Sequence, residues 1–239
     1  MAFANSETPI TENDLAIVPK PARRYLISAG VIGKLRSSIA HIEHVGRFRT
    51  NPNQKWMTLT AEYHLSTNRP SLTWLAKIRV LPLLSISVVD TYIQGKGRFV
   101  AKVASLFKIS DGKGAEIDES SLGRLLAESV MIPTLLVPNQ YVHWEAINSS
   151  SARAIIKDEN LEASAEFHFG KDGFPTSVLL QRYKADKHGG HKYPFRGIMR
   201  CFKEFDGMKI PTEMEAVWIL PTGEFNFANF LIKEAHYGR

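Results

Sequence analysis

The segment LGRLLAESVMIPTLLVP, residues 122–138, holds two charged side chains, Arg124 and Glu128, in a run of otherwise aliphatic and small residues. Four apart, they share one face of a helix. Apolar residues lie almost all the way round, the pattern of a helix buried on most sides. Ser121 is placed to cap it, and Pro133 should break it near Ile132. Arginine ahead of glutamate is the weaker order for a surface pair. In a buried helix the two charges need each other, or need partners on a neighbouring element. Two readings follow. The pair is a clasp that tethers the helix, or Glu128 is a polar fixture in an apolar cavity, where it could act as acid or base. In the second reading the catalytic set is Glu128, Arg124, Asp90 and Tyr92. Asp90 and Tyr92 lie two apart on one strand face, as do Arg182 and Lys184, and Asp90 and Arg182 are the candidates to meet the helix pair.

Other chemistry is less well supported. His41 and His44 flank Glu43, and His188-Gly-Gly-His191 sits in a polar loop. Neither group has metalloprotease spacing or a cysteine partner, so no metal site is expected and the histidines read as solvated. Gly95-Lys-Gly97 precedes a strand and lacks a third glycine, which marks a turn or bulge rather than a nucleotide loop. No serine-hydrolase elbow, P-loop or kinase signature is present, and no cofactor is expected. Cys201 reads as a small core residue of a strand. As the one cysteine it excludes an internal disulfide and a multi-cysteine zinc site. With no basic start leading into an apolar run, the expected compartment is reducing and cytoplasmic. The net charge of +6 and pI near 9.4 suit an anionic partner or surface. The 30 basic residues are scattered, however, with no run beyond Arg23-Arg24 and no interleaved aromatics, so nucleic acid is not expected. No stretch approaches the ~20 apolar residues of a membrane span. Peripheral membrane contact stays open, as does the oligomeric state.

These residues need a scaffold. Residues 1–18 are polar and read as a flexible segment ahead of one domain, 19–239. Pro21–Gly30 reads as a short helix with proline at its start and glycine at its stop, and Ile32–His41 as a second. The period then becomes two: Met57, Leu59, Ala61, Tyr63 and Leu65 share one face of a strand. Similar runs recur at 72–80, 85–93, 97–109, 143–147, 152–157, 161–169, 177–184, 197–206, 212–220 and 224–237. Turn signals stand at Asp111-Gly112, Lys171-Asp172-Gly173 and Pro221-Thr222-Gly223. About eleven strands with short connections and no βαβ alternation predict a mainly β (α+β) fold: a strongly curved antiparallel sheet or half-open barrel with a few helices as its lid.

Several of these pieces, in order, resemble a bacterial family of unknown function. They are Arg24-Tyr-Leu26, His44-Val-Gly-Arg-Phe48, Trp74 with Ala76, Asp90-Thr-Tyr-Ile-Gln-Gly-Lys-Gly97, Arg124-Leu-Leu-Ala-Glu128 with Pro133, Trp144, Arg182-Tyr183, Ile210-Pro211 and Val217-Trp218. The resemblance runs from about residue 19 onward. It implies the half-barrel of bacterial lipoprotein carriers, a curved sheet lidded by helices over an apolar cavity, and no established reaction. Members often carry membrane helices ahead of this domain, which this sequence lacks, and an aromatic often stands where Leu125 is found.

Two functions fit. One is binding of a hydrophobic or lipid-like small molecule in the half-barrel, with Trp74, Leu125, Met131, Leu135, Trp144, Arg182 and Trp218 lining the site and Val130 in the lid. The other is a metal-independent cyclase, isomerase or dehydratase acting on a hydrophobic substrate, with Glu128 as proton carrier.

Overall fold

In a computed structural model, residues 8–36, 38–186 and 189–238 are described. Thirteen strands form one antiparallel sheet: β1 (Ile39–Phe48), β2 (Met57–Ser66), β3 (Ser71–Leu81), β4 (Leu84–Ile93), β5 (Lys96–Val103), β6 (Phe107–Gly112), β7 (Val142–Ala146), β8 (Ser151–Asp158), β9 (Leu161–Phe169), β10 (Pro175–Asp186), β11 (Gly189–Phe205), β12 (Met208–Leu220) and β13 (Gly223–Gly238). Their spatial order is β6-β5-β4-β3-β2-β1-β13-β12-β11-β10-β9-β8-β7, so β1 and β13 join two meanders at the centre. The two helices are α1 (Lys20–Ser28) and α2 (Ala115–Glu128). The expected class, a curved antiparallel half-barrel with helices on one side, is the class observed.

The chain's midpoint makes the lid. Helix α2 connects the two sheet edges, β6 and β7, and packs on β4 and β5 of one arm and on β8, β9 and β10 of the other. Alternation turns the apolar set of the central strands to the concave face: Leu59, Tyr63 and Leu65 of β2, and Leu72, Trp74, Ala76 and Ile78 of β3, are buried. Helix α1 begins with Pro21 in its first turn and is followed by Gly30 at φ +81°, as its sequence predicts. It packs on β8 and β9.

Five details differ from expectation. Strand Gly97–Ile109 is two strands, because Ala104 and Ser105 both take positive φ (50° and 60°) and form a tight hairpin turn without glycine or asparagine. With β1 added, eleven strands become thirteen. Asp111-Gly112 consequently closes β6 instead of turning. Ile32–His41 is not a helix: Gly33 at φ +80° turns the chain, and from Ile39 onward the backbone pairs with both β2 and β13. Helix α2 starts seven residues earlier than expected, capped by Gly114 rather than Ser121, and ends at Glu128. Two 3₁₀ turns, Ser129–Met131 and Pro133–Leu136, then carry the chain past the proline. Finally, residues 8–18 are not a loose lead-in. Ile10, Leu15 and Val18 are buried in the core, and Arg36 pairs with Asp14 at 2.6 Å. Cys201, expected in the core, is exposed at φ +56° on β11, with the same register to β12 on either side of it.

Gly97 fixes how closely α2 approaches the sheet. A Cβ there would lie 2.6 Å from the Ile117 carbonyl oxygen and 2.6 Å from Ser121 Oγ. The Gly97 amide also donates to Asp118 Oδ1 at 2.8 Å, and Lys96 Nζ pairs with Asp118 Oδ2 at 2.9 Å. Gly97→Ala should push the helix off this arm and cost about 1–3 kcal/mol, read as a lower urea midpoint.

Candidate functional site

Arg124 projects from α2 to the concave face and meets three groups. Its Nε donates to both carboxylate oxygens of Glu128 at 3.0 and 3.1 Å, its Nη2 donates to Tyr63 Oη at 2.8 Å, and its Nη1 pairs with Asp90 of β4. Tyr63 Oη in turn donates to Glu128 Oε1 at 3.1 Å. Beneath the guanidinium lies an aromatic floor: its carbon is 4.8 Å from the Trp74 ring centre and 5.6 Å from that of Tyr63. Trp74 Nε1 donates to His44 Nε2 at 2.9 Å, and His44 stacks on Tyr63 at 5.2 Å. One helical arginine thus holds β4 directly, β2 through Tyr63, and its own helix through Glu128.

The electrostatics follow from burial. Burial disfavours charge on Arg124, but Glu128, Tyr63 and Asp90 outweigh it and hold the guanidinium well above its ordinary value. Burial raises the Tyr63 phenol, so it stays a neutral donor. His44 is pulled down to about 4, first by burial and then by the nearby Arg124 charge. It is therefore a neutral acceptor for Trp74 at physiological pH.

Beside this network, between α2 and the concave face, is a cavity of about 350 Å³. Arg124, Glu128 and Asp90 form its polar end, and Phe195, Trp218, Phe227 and Phe230 much of its wall. Arg182 of β10 enters from the other arm. Its Nε donates to the Ser120 carbonyl at 3.3 Å, and its guanidinium lies 4.8 Å from the Phe195 ring centre and 5.8 Å from that of Trp218. Burial and the repulsion of Arg124 draw it down to about 10, against the pull of Glu128 and Asp90. Among the described residues it has no carboxylate within ion-pair distance. Two wider depressions, about 530 and 870 Å³, lie open on the convex face.

Of the predicted site residues, Glu128, Arg124, Asp90, Trp74, Arg182 and Trp218 come together at this cavity. The others do not border it. Tyr92 is turned from the clasp to Asp158, to which it donates at 2.8 Å. Leu125 of α2 and Met131 and Leu135 of the 3₁₀ turns that follow it are fully packed in the core instead. Trp144 packs on Phe167 and donates to the Leu136 carbonyl at 2.8 Å. Tyr63 and His44 join the site without a sequence signal of their own: a tyrosine and a histidine on the inward faces of β2 and β1 have the pattern of ordinary core.

The His44 environment sets a pH limit. The unfolded chain takes up a proton near 6.5 and the folded chain only near 4, so stability present above pH 6.5 is lost as pH falls toward 4. The loss is on the order of 3 kcal/mol. Urea titrations at pH 7 and 4.5 should show it in the wild type and a markedly smaller drop in His44→Gln. An equal drop in the variant would assign the effect to other groups.

Solved structures with an overall likeness include an assigned outer membrane lipoprotein-sorting protein domain from Vibrio parahaemolyticus, at 10% identity and TM-score 0.44, covering 91% of this chain and 89% of that one. A LolA superfamily protein from Nitrosomonas europaea matches at 10% identity and TM-score 0.42 over 90% and 92%. A DUF1329 family protein from Desulfovibrio piger matches at 13% and 0.45 over 91% and 90%. Comparison with curated proteins gives no match. The model of one family of unknown function, DUF6920, matches residues 16–237, nearly the whole chain, and the protein belongs to that family.

Proposed function

We propose that the protein binds a hydrophobic or lipid-like small molecule in the cavity between α2 and the concave face. The observation that carries this reading is an aromatic chamber with one cation, Arg182, that has no carboxylate partner beside it. Arg124, Asp90 and Glu128 together carry one negative charge, and Arg182 balances it only at a distance. Its remaining N–H donors suit the acceptor-bearing end of a ligand, while Phe195, Trp218, Phe227 and Phe230 take the apolar part. A volume of about 350 Å³ is at the lower end of the range for small-molecule sites. For the proton-carrier alternative, Glu128 would have to leave three hydrogen bonds, two from Arg124 and one from Tyr63. That geometry favours Glu128 as part of the clasp.

A route for such a ligand lies at one rim. The β3–β4 and β5–β6 hairpin tips sit side by side, joined by Ala104 N–H to the Ser85 carbonyl at 3.0 Å and by Ser87 with Ser105 at 2.8 Å. They expose Leu81, Leu83, Leu106 and Phe107, with Leu83 fully exposed. Residues 71–112 hold six cations against Asp90 and Asp111, which is four of the chain's net six positive charges. Apolar tips on a basic arm suit peripheral contact with an anionic membrane surface. The register places Phe48, at the cavity mouth, on this same rim.

A fluorescent long-chain fatty acid should bind the purified protein and be displaced by unlabelled lipid. Arg182→Ala and Trp218→Ala should each weaken it about tenfold, which is roughly 1.4 kcal/mol. Absence of binding, together with no co-purifying apolar molecule in native mass spectra from the protein's own host, would overturn the reading. Membrane contact is tested separately by sedimentation with vesicles. Anionic vesicles should retain the protein, neutral ones should not, and Leu83→Asp/Phe107→Asp should abolish retention without changing the fatty-acid affinity.

A further inference from the structure

On the convex face, away from the cavity, the central strands bring three histidines into a row. His41 of β1 pairs in register with His64 of β2 on one side and His236 of β13 on the other. Two residues along, on the same face, Glu43 stands between Glu62 and Glu234. Like charges directly opposite one another destabilise a sheet, and here the histidine row lies beside Glu62 and Glu234. The His41 and His64 rings stack at 4.8 Å with an interplanar angle of 24°. Glu62 reaches both, with Oε2 3.1 Å from His41 Nε2 and Oε1 4.0 Å from His64 Nε2.

We propose that His41, Glu62 and His64 bind a divalent first-row transition metal ion of the Zn²⁺ type. One ligand atom from each lies within 4.8 Å of the others. With metal–ligand bonds of about 2.0–2.2 Å, a tetrahedral ion needs its ligands about 3.3 Å apart. The His41–Glu62 separation already meets this, and side-chain rotation at His64 is what has to close the two remaining edges, to Glu62 and to His41. Two imidazoles and one carboxylate select Zn²⁺-type ions over Mg²⁺ and Ca²⁺, which prefer all-oxygen shells. The ligands sit on adjacent central strands whose spacing the sheet's hydrogen bonds fix, so ordering the site takes little more than side-chain rotation. The rings are partly exposed, and the fourth coordination position opens to solvent. The neighbouring carboxylates Glu43 and Glu234 add a favourable field for a cation. Lys77 and Lys233 border the same groove and limit it.

The test is calorimetric titration of tag-free protein with Zn²⁺ and, separately, Mg²⁺. Expected are one equivalent of Zn²⁺ bound at micromolar affinity, no Mg²⁺ heat, and at least tenfold weaker Zn²⁺ binding in His41→Gln and in His64→Gln. NMR of the histidine ring protons should show Zn²⁺ perturbing the His41 and His64 signals first, a readout that needs no variant. Zn²⁺ affinity unchanged in both variants, or first perturbation of other histidines, would overturn the assignment, as would no binding below millimolar concentration.

Discussion

The arrangement depends on one arginine. A single-layer sheet of thirteen strands cannot bury its concave face by itself, and α2 is the element that packs on both arms. The helix is held there by Arg124, whose guanidinium serves Asp90, Glu128 and Tyr63 at once. Removing one partner of a buried ionic group costs about 3–5 kcal/mol, because the remaining charges stay behind without compensation. Against a total stability of about 5–15 kcal/mol, that makes the clasp a condition for the lid. The surroundings are consistent with this. His44 is kept neutral, so it adds no second positive charge beneath the guanidinium, and it accepts the Trp74 N–H while stacking on Tyr63.

The cavity follows from how α2 is fixed. At its N-terminal end the helix backbone touches the sheet, where Gly97 leaves no room for a side chain. At its C-terminal end long side chains stand between helix and sheet: Arg124 and Glu128 from the helix, Asp90 and Arg182 from the two arms. Space opens beside those longer spacers, and the phenylalanines of β11 and β13 with Trp218 of β12 line it. The polar groups that hold the lid are therefore also the polar end of the chamber. Of the two readings of the Arg124–Glu128 pair, the hydrogen bonds that hold Glu128 support the clasp.

Much of this was legible because the fold has short connections and period-two strands. Charged residues on otherwise apolar faces, Arg124, Glu128, Asp90 and Arg182, could be picked out as a group that had to be satisfied together. Tyr63 and His44 could not, since an aromatic ring or an imidazole on an inward face looks like ordinary core. Leu125, Met131 and Leu135 show the converse limit: in a segment apolar all round, no pattern says which side borders a void. The extra hairpin was hidden because Ala104 and Ser105 are residues that seldom accept positive φ. The helix expected at Ile32–His41 lost to pairing with β13, nearly two hundred residues away.

The two faces of β1 separate the protein's chemistry. His41 and His44, three apart, fall on opposite sides of the strand. His44 turns inward to the clasp, where burial makes it neutral, and His41 turns outward beside His64 and Glu62, where it remains open to solvent. In the chain the two histidines look like one cluster around Glu43. In the sheet they belong to sites with no shared ligand. The meeting of His41 with His64 depends on the β1–β2 register, and its meeting with His236 on closure of the two meanders through β13. The β13 bulge opposite Glu43 and His44 keeps Ile232 inward while Glu234 and His236 stay outward. Without that extra residue every side chain beyond it would change faces. The convex row of histidines is thus a product of long-range register, the one property that local sequence pattern carries least.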